Sequence, residues 1–261
     1  MATSSAWRPS EPVMPSRPRV QSSSTAVMLE FAQGVDLEAY AGFLVDLDGT
    51  LLVSGGLAPG AAEFWRHFGD RSVIVSNNSS GSSGEVSRYL LNLGLRVPAE
   101  RIVLAGSLTI EVVATRRPSF SVLILGSGEL ARQAVSAGLR LSLSPEAVIV
   151  GRSPEVTFAQ VERAANAVRQ GAKFYVINPD LTHPAGEGSV AFETGAVAAA
   201  VAAVAGREPD EVFGKPDPRL FEEGLRRLAL TPKHVLMIGD NPQTDGEGAA
   251  RIGLSFHLVG S

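Results

Sequence analysis

The feature that most limits how this chain can fold is a series of short, wholly apolar segments, each running into a small polar cluster and then into helical periodicity. Residues 43–45 open onto Asp46-Leu47-Asp48-Gly49-Thr50, residues 73–75 onto Ser76-Asn77-Asn78-Ser79-Ser80, and residues 235–238 onto Gly239-Asp240. Segments apolar on both faces suit strands buried between two layers of helices. Between them the spacing predicts helices: one begun by Pro59 carries Phe64, Trp65 and Phe68, and another carries Val86, Tyr89, Leu90 and Leu93. A second series follows, with apolar segments at 122–125, 147–150 and 174–177. There Thr157 and Gln160 form a capping box ahead of a helix showing Phe158, Val161, Ala165 and Val168. The alternation predicts an α/β protein of βαβ units with a Rossmann-like, doubly wound parallel sheet.

Composition narrows the chemistry. The 261 residues include no cysteine, which excludes disulfides, thiolate zinc sites, iron–sulfur clusters and a cysteine nucleophile. A net charge of −4 supplies no general attraction to nucleic acid or anionic membrane, so neither is expected as a partner. The longest apolar run, 196–205, is about half of the ~20 residues a bilayer span needs. No apolar stretch follows a basic start at the N-terminus, and the expected location is cytoplasmic. Residues 1–35 begin with a Ser/Pro/Arg-rich segment read as a disordered tail.

In an open parallel sheet, ligands collect beyond the carboxyl ends of the strands. The polar clusters are therefore expected to converge. Asp46 and Asp48, two residues apart on extended backbone, share one side. Close carboxylates repel unless a cation neutralises them, and Asp240 and Asp245 add to the cluster. Such an all-oxygen set suits a hard divalent cation, most simply Mg²⁺, with Lys215 as a monovalent countercharge. Ser76, Asn77 and Asn78 offer donors suited to phosphate oxygens. Taken singly, Asp-Gly-Thr is usually a turn, Asn-Asn-Ser a loop, and Asp245 before Gly246 a helix cap.

Asp46-Leu47-Asp48-Gly49-Thr50-Leu51 resembles the first motif of the haloacid dehalogenase (HAD) superfamily. Ser76-Asn77-Asn78-Ser79, Gly214-Lys215-Pro216 and Gly239-Asp240-Asn241-Pro242-Gln243-Thr244-Asp245 resemble its second, third and fourth. The long insert, with Asn178-Pro179-Asp180 near its end, is similar to the C2-type cap of subclass IIA, a group of 4-nitrophenyl phosphatase-like, phosphoglycolate, pyridoxal phosphate and sugar phosphate phosphatases. The resemblance implies core segments at 36–117 and 191–261 around an inserted, smaller α/β cap at 118–190. It implies a Mg²⁺-dependent phosphatase of a small phosphorylated metabolite. Asp46 would be the nucleophile that becomes an aspartyl-phosphate, and Asp48 the general acid and base. Mg²⁺ would be held by Asp46, the Asp48 carbonyl and Asp240, supported by Asp245. Ser76, Asn77 and Lys215 would stabilise the transferring group, and Asn78 stands beside them. His183 matches a position that contacts substrate in pyridoxal-phosphatase-like members, or is a loop histidine beside Pro184. A homodimer through the cap is also implied.

Other readings stay open: a phosphotransferase using the same intermediate, and a non-catalytic HAD-fold protein that binds a phosphorylated ligand. Gly126-Ser127-Gly128-Glu129-Leu130-Ala131 after an apolar segment, with Arg152 further on, imitates an NADP-binding unit, but leaves the acidic clusters unexplained. The chain also departs from the family pattern. Arg152-Ser153-Pro154 follows Gly151 where relatives have an Asp, and Gly246 replaces a bulky apolar residue, which is expected to loosen packing there.

Overall fold

A computed structural model describes residues 34–184 and 189–259. Apart from Gly34 and Val35, the expected tail lies outside the described residues. The first third of the described chain runs β1 (Gly42–Val45), a hairpin of β2 (Leu52–Val53) and β3 (Gly56–Leu57), α1 (Ala61–Phe68), β4 (Ser72–Ser76), α2 (Ser83–Asn92), β5 (Ile102–Leu104) and α3 (Ala105–Arg116). Next come β6 (Ser121–Leu125), α4 (Gly128–Ser136), β7 (Arg140–Leu141), β8 (Ala147–Val150), α5 (Phe158–Arg169) and β9 (Lys173–Val176). A second hairpin, β10 (Thr182–Pro184) and β11 (Val190–Phe192), precedes α6 (Thr194–Ala205) and β12 (Glu211–Val212). The chain ends with α7 (Arg219–Leu228), β13 (Val235–Gly239), α8 (Glu247–Arg251) and β14 (Ser255–Leu258).

Two parallel sheets result. The first has the order β14-β13-β1-β4-β5 and the second β12-β9-β8-β6-β7. β1, β4 and β13 are buried along their whole length, as strands covered on both faces must be. In α1, Ala61, Phe64, Trp65 and Phe68 recur at helical spacing and are buried against Phe43, whose ring meets Phe64 edge-on at 5.4 Å. Burying one such aromatic side chain contributes roughly 1.5–3 kcal/mol. A single apolar cluster joins the sheets: Leu44, Val73 and Val75 of the first, Val122, Ala147 and Ile149 of the second, and Leu108, Ile110 and Val113 of α3 between them.

The second unit is larger than expected. β12 pairs with β9, and Ala198 and Val201 of α6 pack with Ala164 and Ala165 of α5, so residues up to Val212 belong to the second sheet's layers rather than only those to 190. An Ala/Val helix that is apolar all round does not announce which sheet it covers. The capping box at Thr157 and Gln160 forms. Phe158, one residue past that cap, is 90% exposed, and Ala164, Ala165, Ala167 and Val168 supply the buried face. Tyr89 is likewise exposed, its hydroxyl donating to Gly55 O at 2.9 Å. The gap expected at Gly246 is filled by Phe256, whose ring lies 3.1 Å from where a Cβ there would stand. Ser127 accepts from Leu130 N and donates to Ser80 O, so the glycine-rich turn before α4 is a capped helix start bonded to the core.

Candidate active site

β13, β1 and β4 are neighbours, and their carboxyl ends bring the polar clusters together. Asp46 N donates to Ile238 O at 2.9 Å, which carries the β1 ladder one residue further and buries the Asp46 side chain. Asp240 follows β13 and is half-buried. Asp245 is buried on the turn Pro242–Gly246, where its N–H donates to Asn241 O at 2.8 Å. One carboxylate oxygen each from Asp46, Asp240 and Asp245 lies within 4.8 Å of the others. Two glycines make room for this trio. A Cβ on Gly49, whose φ is +89°, would stand 2.1 Å from Asp240 Oδ2, and one on Gly239 would stand 2.2 Å from Asp245 Oδ2.

Lys215 is the buried cation of the site. Its Nζ donates to Asp46 Oδ1 at 2.5 Å, to Asp245 Oδ1 at 2.6 Å and to Val75 O at 3.2 Å, which uses all three of its hydrogens. Burial alone would lower the ammonium's pKa, but Asp245 and Asp46 outweigh it and hold the lysine charged. One ammonium between two buried carboxylates leaves negative charge uncompensated. Burial, reinforced by Asp245 and Asp48 and opposed by Lys215, accordingly lifts Asp46 to about 8. Asp240 is also raised, by burial and by Asp245. Three carboxylates with a charge deficit form a donor set that fits a hard divalent cation.

Asp48 parts company with Asp46. The strand ends between them, and the Asp48 carboxylate reaches the rim, outside the trio, so its side chain is not among the clustered acids named above. Its pKa is raised by desolvation and by the charges of Asp240 and Glu193, against Lys215. Thr50, named in the sequence only within its motif, donates to Asp240 Oδ1 at 3.4 Å.

Ser76 is buried at the end of β4, its Oγ accepting from Asn78 N at 3.1 Å. Asn77 is occupied: its Oδ1 accepts from Lys215 N at 2.7 Å, and its Nδ2 donates to Asp180 Oδ2 at 2.9 Å and Lys215 O at 3.2 Å. Asn78 Oδ1 accepts from the N–H groups of Ser80 and Gly81. The amides of these two side chains are thus engaged within the protein. Among the described residues, the main-chain N–H groups of Leu47, Asp48 and Asn77 have no hydrogen-bond partner.

His183 stands on β10 within the second unit's own polar cluster. Its Nδ1 is 3.0 Å from Glu193 Oε2 and its Nε2 is 3.1 Å from Arg152 Nη2. A guanidinium only donates, so Nε2 accepts from Arg152, while Nδ1, though close to Glu193, makes no hydrogen bond among the described residues. Arg152 Nε is 3.1 Å from Glu193 Oε2, and Glu193 Oε1 accepts from Ser79 of the core loop at 3.1 Å. Beside burial, the charge of Glu193 also acts on Asp48, raising its pKa. Sequence reasoning missed Glu193, since a lone acid before Thr194-Gly195 carries no motif.

Residues 40–253 match the family described as haloacid dehalogenase-like hydrolase. A dihydroxyacetone phosphatase from Corynebacterium glutamicum is 32% identical over 223 residues, covering 84% of this chain and 80% of that protein. Among solved structures, a 4-nitrophenylphosphatase from Thermotoga maritima superimposes with a TM-score of 0.80 at 27% identity, over 85% of this chain and 86% of that one. A glycerol phosphate phosphatase from Mycobacterium tuberculosis, in complex with magnesium, gives a TM-score of 0.78 at 32% identity, over 84% of this chain and 67% of that one. With sequence and fold matched over most of its length, the chain belongs to the haloacid dehalogenase-like hydrolases, in subclass IIA.

Proposed function

We propose that this phosphoric monoester hydrolase is a Mg²⁺-dependent phosphatase of small, hydroxylated phosphate esters in the sugar and three-carbon range, working through an aspartyl-phosphate on Asp46. The observation that carries the reading is the convergence of Asp46, Asp240 and Asp245 within 4.8 Å, with Lys215 Nζ bridging two of them.

The Asp46 carboxylate attacks phosphorus, forming an Oδ–P bond as the bond from phosphorus to the ester oxygen breaks. Asp48, whose raised pKa and place at the rim suit a proton carrier, gives its proton to the departing oxygen. It then takes a proton from the water that attacks the phospho-aspartate, and the Asp46 O–P bond breaks to release phosphate. Lys215 remains charged and faces the growing negative charge, as do the unpaired N–H groups of Leu47, Asp48 and Asn77 and the Ser76 hydroxyl. Asp46, Asp240 and the Asp48 carbonyl, with Asp245 in support, would hold Mg²⁺, which when bound would supply the positive charge that the ion pairs lack.

The inserted unit is read as the cap that meets the rest of the substrate. Arg152, His183 and Glu193 offer donors and acceptors for hydroxyl or carbonyl groups. The two relatives named for dihydroxyacetone and glycerol phosphate support a three-carbon ester. A dimer through the cap belongs to this reading, supported by the exposed Leu181, Val190 and Phe192 on its hairpin. The test is phosphate release from a panel of triose, glycerol, sugar, nucleotide and pyridoxal phosphates, with Mg²⁺ and with chelator. Release confined to Mg²⁺ and strongest for sugar or three-carbon esters is expected; no release from any ester would end the reading.

A further inference from the structure

Lys215 must hold its ammonium between Asp46 and Asp245, yet it lies on a loop after β12 rather than at the end of a first-sheet strand. Its main chain is held on both sides by one side chain, that of Asn77, which accepts from Lys215 N and donates to Lys215 O. An amide has two donor hydrogens and one acceptor oxygen, and each is used here, because Nδ2 also donates to Asp180 Oδ2. The Asn77 carbonyl accepts from Asn178 Nδ2 at 2.7 Å, and Asn178 Oδ1 accepts from Asp180 N at 3.1 Å. Asp180 is anchored in turn, its carbonyl accepting from Gly195 N at 2.8 Å. The segments are in direct contact: a Cβ on Gly214 would stand 2.6 Å from Asn178 Cβ and 2.7 Å from Asn77 Oδ1.

We propose that Asp180 and Asn178, both contributed by the inserted unit, are positioning residues for Lys215: Asp180 acts through the side chain of Asn77, and Asn178 by holding the main chain of Asn77 and of Asp180. The proposal rests on the reading of Lys215 as the cation of the phosphoryl site. Without the Asp180 acceptor, one Nδ2 hydrogen of Asn77 loses its partner and the amide is tethered to Lys215 alone, with nothing fixing it to the inserted unit. The Lys215 main chain then loses a fixed mount, and Nζ its register between the two carboxylates. The inserted unit thus has a second task beside meeting substrate: it completes the support of a core residue. Because Asp180 acts on an Nζ that matters in the transition state, its loss falls on turnover rather than on capture of a small generic ester.

The experiment combines kinetics on 4-nitrophenyl phosphate with NMR of the lysine ammonium in full-length protein, using Asp180→Ala, Asp180→Asn, Asn77→Ala and the Asn77→Ala/Asp180→Ala double variant. Asp180→Ala is expected to lower kcat about ten- to a hundred-fold, the scale set by an ångström-sized misplacement. KM should stay within about two-fold, and Asp180→Asn, which keeps an acceptor oxygen, should restore most of the turnover. The double variant should be no slower than Asn77→Ala, because the two residues form one chain of action. Independently of turnover, the Lys215 NH₃⁺ resonance, assigned by its loss in Lys215→Arg, should shift in Asp180→Ala and return in Asp180→Asn. Multiplicative kinetic effects, a change in KM alone, or an unmoved resonance in Asp180→Ala would each overturn the proposal. If Asp180→Ala does not fold, Asp180→Asn and Asp180→Ser give the same comparison. A wild-type protein that releases no phosphate would instead end the functional reading, and the resonance would still decide the positioning role.

Discussion

Lys215 Nζ donates to Asp46 Oδ1 at 2.5 Å across a sequence separation of 169 residues, and both side chains are almost wholly buried. Asp245 shares the same ammonium, so the neighbourhood is short of positive charge. Removing the Asp46 carboxylate therefore affects activity and stability in different directions.

Asp46→Asn should abolish turnover while leaving the fold at least as stable. The variant keeps the Lys215–Asp245 pair and removes the carboxylate whose pKa burial pushes up to about 8. Phosphate release should fall by more than about a thousand-fold, the scale of losing a nucleophile that acts as part of a unit. In chelator, the melting temperature should match or exceed that of the wild type. Substantial residual turnover would remove Asp46 from its role.

Lys215→Met leaves Asp46, Asp240 and Asp245 facing one another without the ammonium. Breaking a buried pair from one side costs about 3–5 kcal/mol. Denaturant unfolding should show a loss of that order in chelator, and added Mg²⁺ should recover part of it by binding only the folded form.

Gly49→Ala should damage cation binding more than the fold. The new methyl would lie 2.1 Å from Asp240 Oδ2 on backbone with φ +89°, so the carboxylate must move. We expect a stability loss of about 1–3 kcal/mol from the strained backbone and the displaced side chain. The Mg²⁺ concentration for half-maximal phosphate release should rise at least about ten-fold.

His183→Ala separates substrate fit from chemistry. The ring is held between Arg152 and Glu193, away from Lys215 and the acidic trio. KM for the best sugar or three-carbon ester should rise several-fold while that for 4-nitrophenyl phosphate stays level. Equal effects on both would argue for a general structural role.

Asp210 offers a pH test outside the site. Burial would raise its pKa, but the Phe174 N–H at 2.8 Å, Lys173 and the charge of Arg207 prevail, so the folded value is depressed. A depressed carboxyl adds stability that is present above the unfolded pKa, near 4, and lost as pH falls through the folded value. Asp210→Asn should therefore cost about 1 kcal/mol at pH 7, the scale of one such hydrogen bond, and flatten the decline of stability below pH 4.

How legible was all this in the sequence? The strand ends carrying Asp46, Ser76 and Asp240 were plain, because doubly buried strands and their terminal polar clusters are local patterns. Three contacts were not. The amide of Asn77 meets Lys215 and Asp180, each more than a hundred residues away in sequence. Glu193 meets Ser79, Arg152 and His183 only after three segments come together. The edge strand β12 is two residues long, and only its pairing with β9 assigns it, together with α6, to the second sheet. In each case the sequence shows a residue's chemistry while distant partners decide how it is used.

The apolar cluster shared by the two sheets bears on how the molecule comes apart. Leu44 and Val73 rest in the same packing as Ala147 and Ile149, with α3 running between. A cap attached by its linkers alone could melt while the core endured. Here, stripping away the second sheet would expose the flank of the strand that carries Asp46, and heating should yield one calorimetric peak, with catalytic competence and the inserted unit lost in the same event.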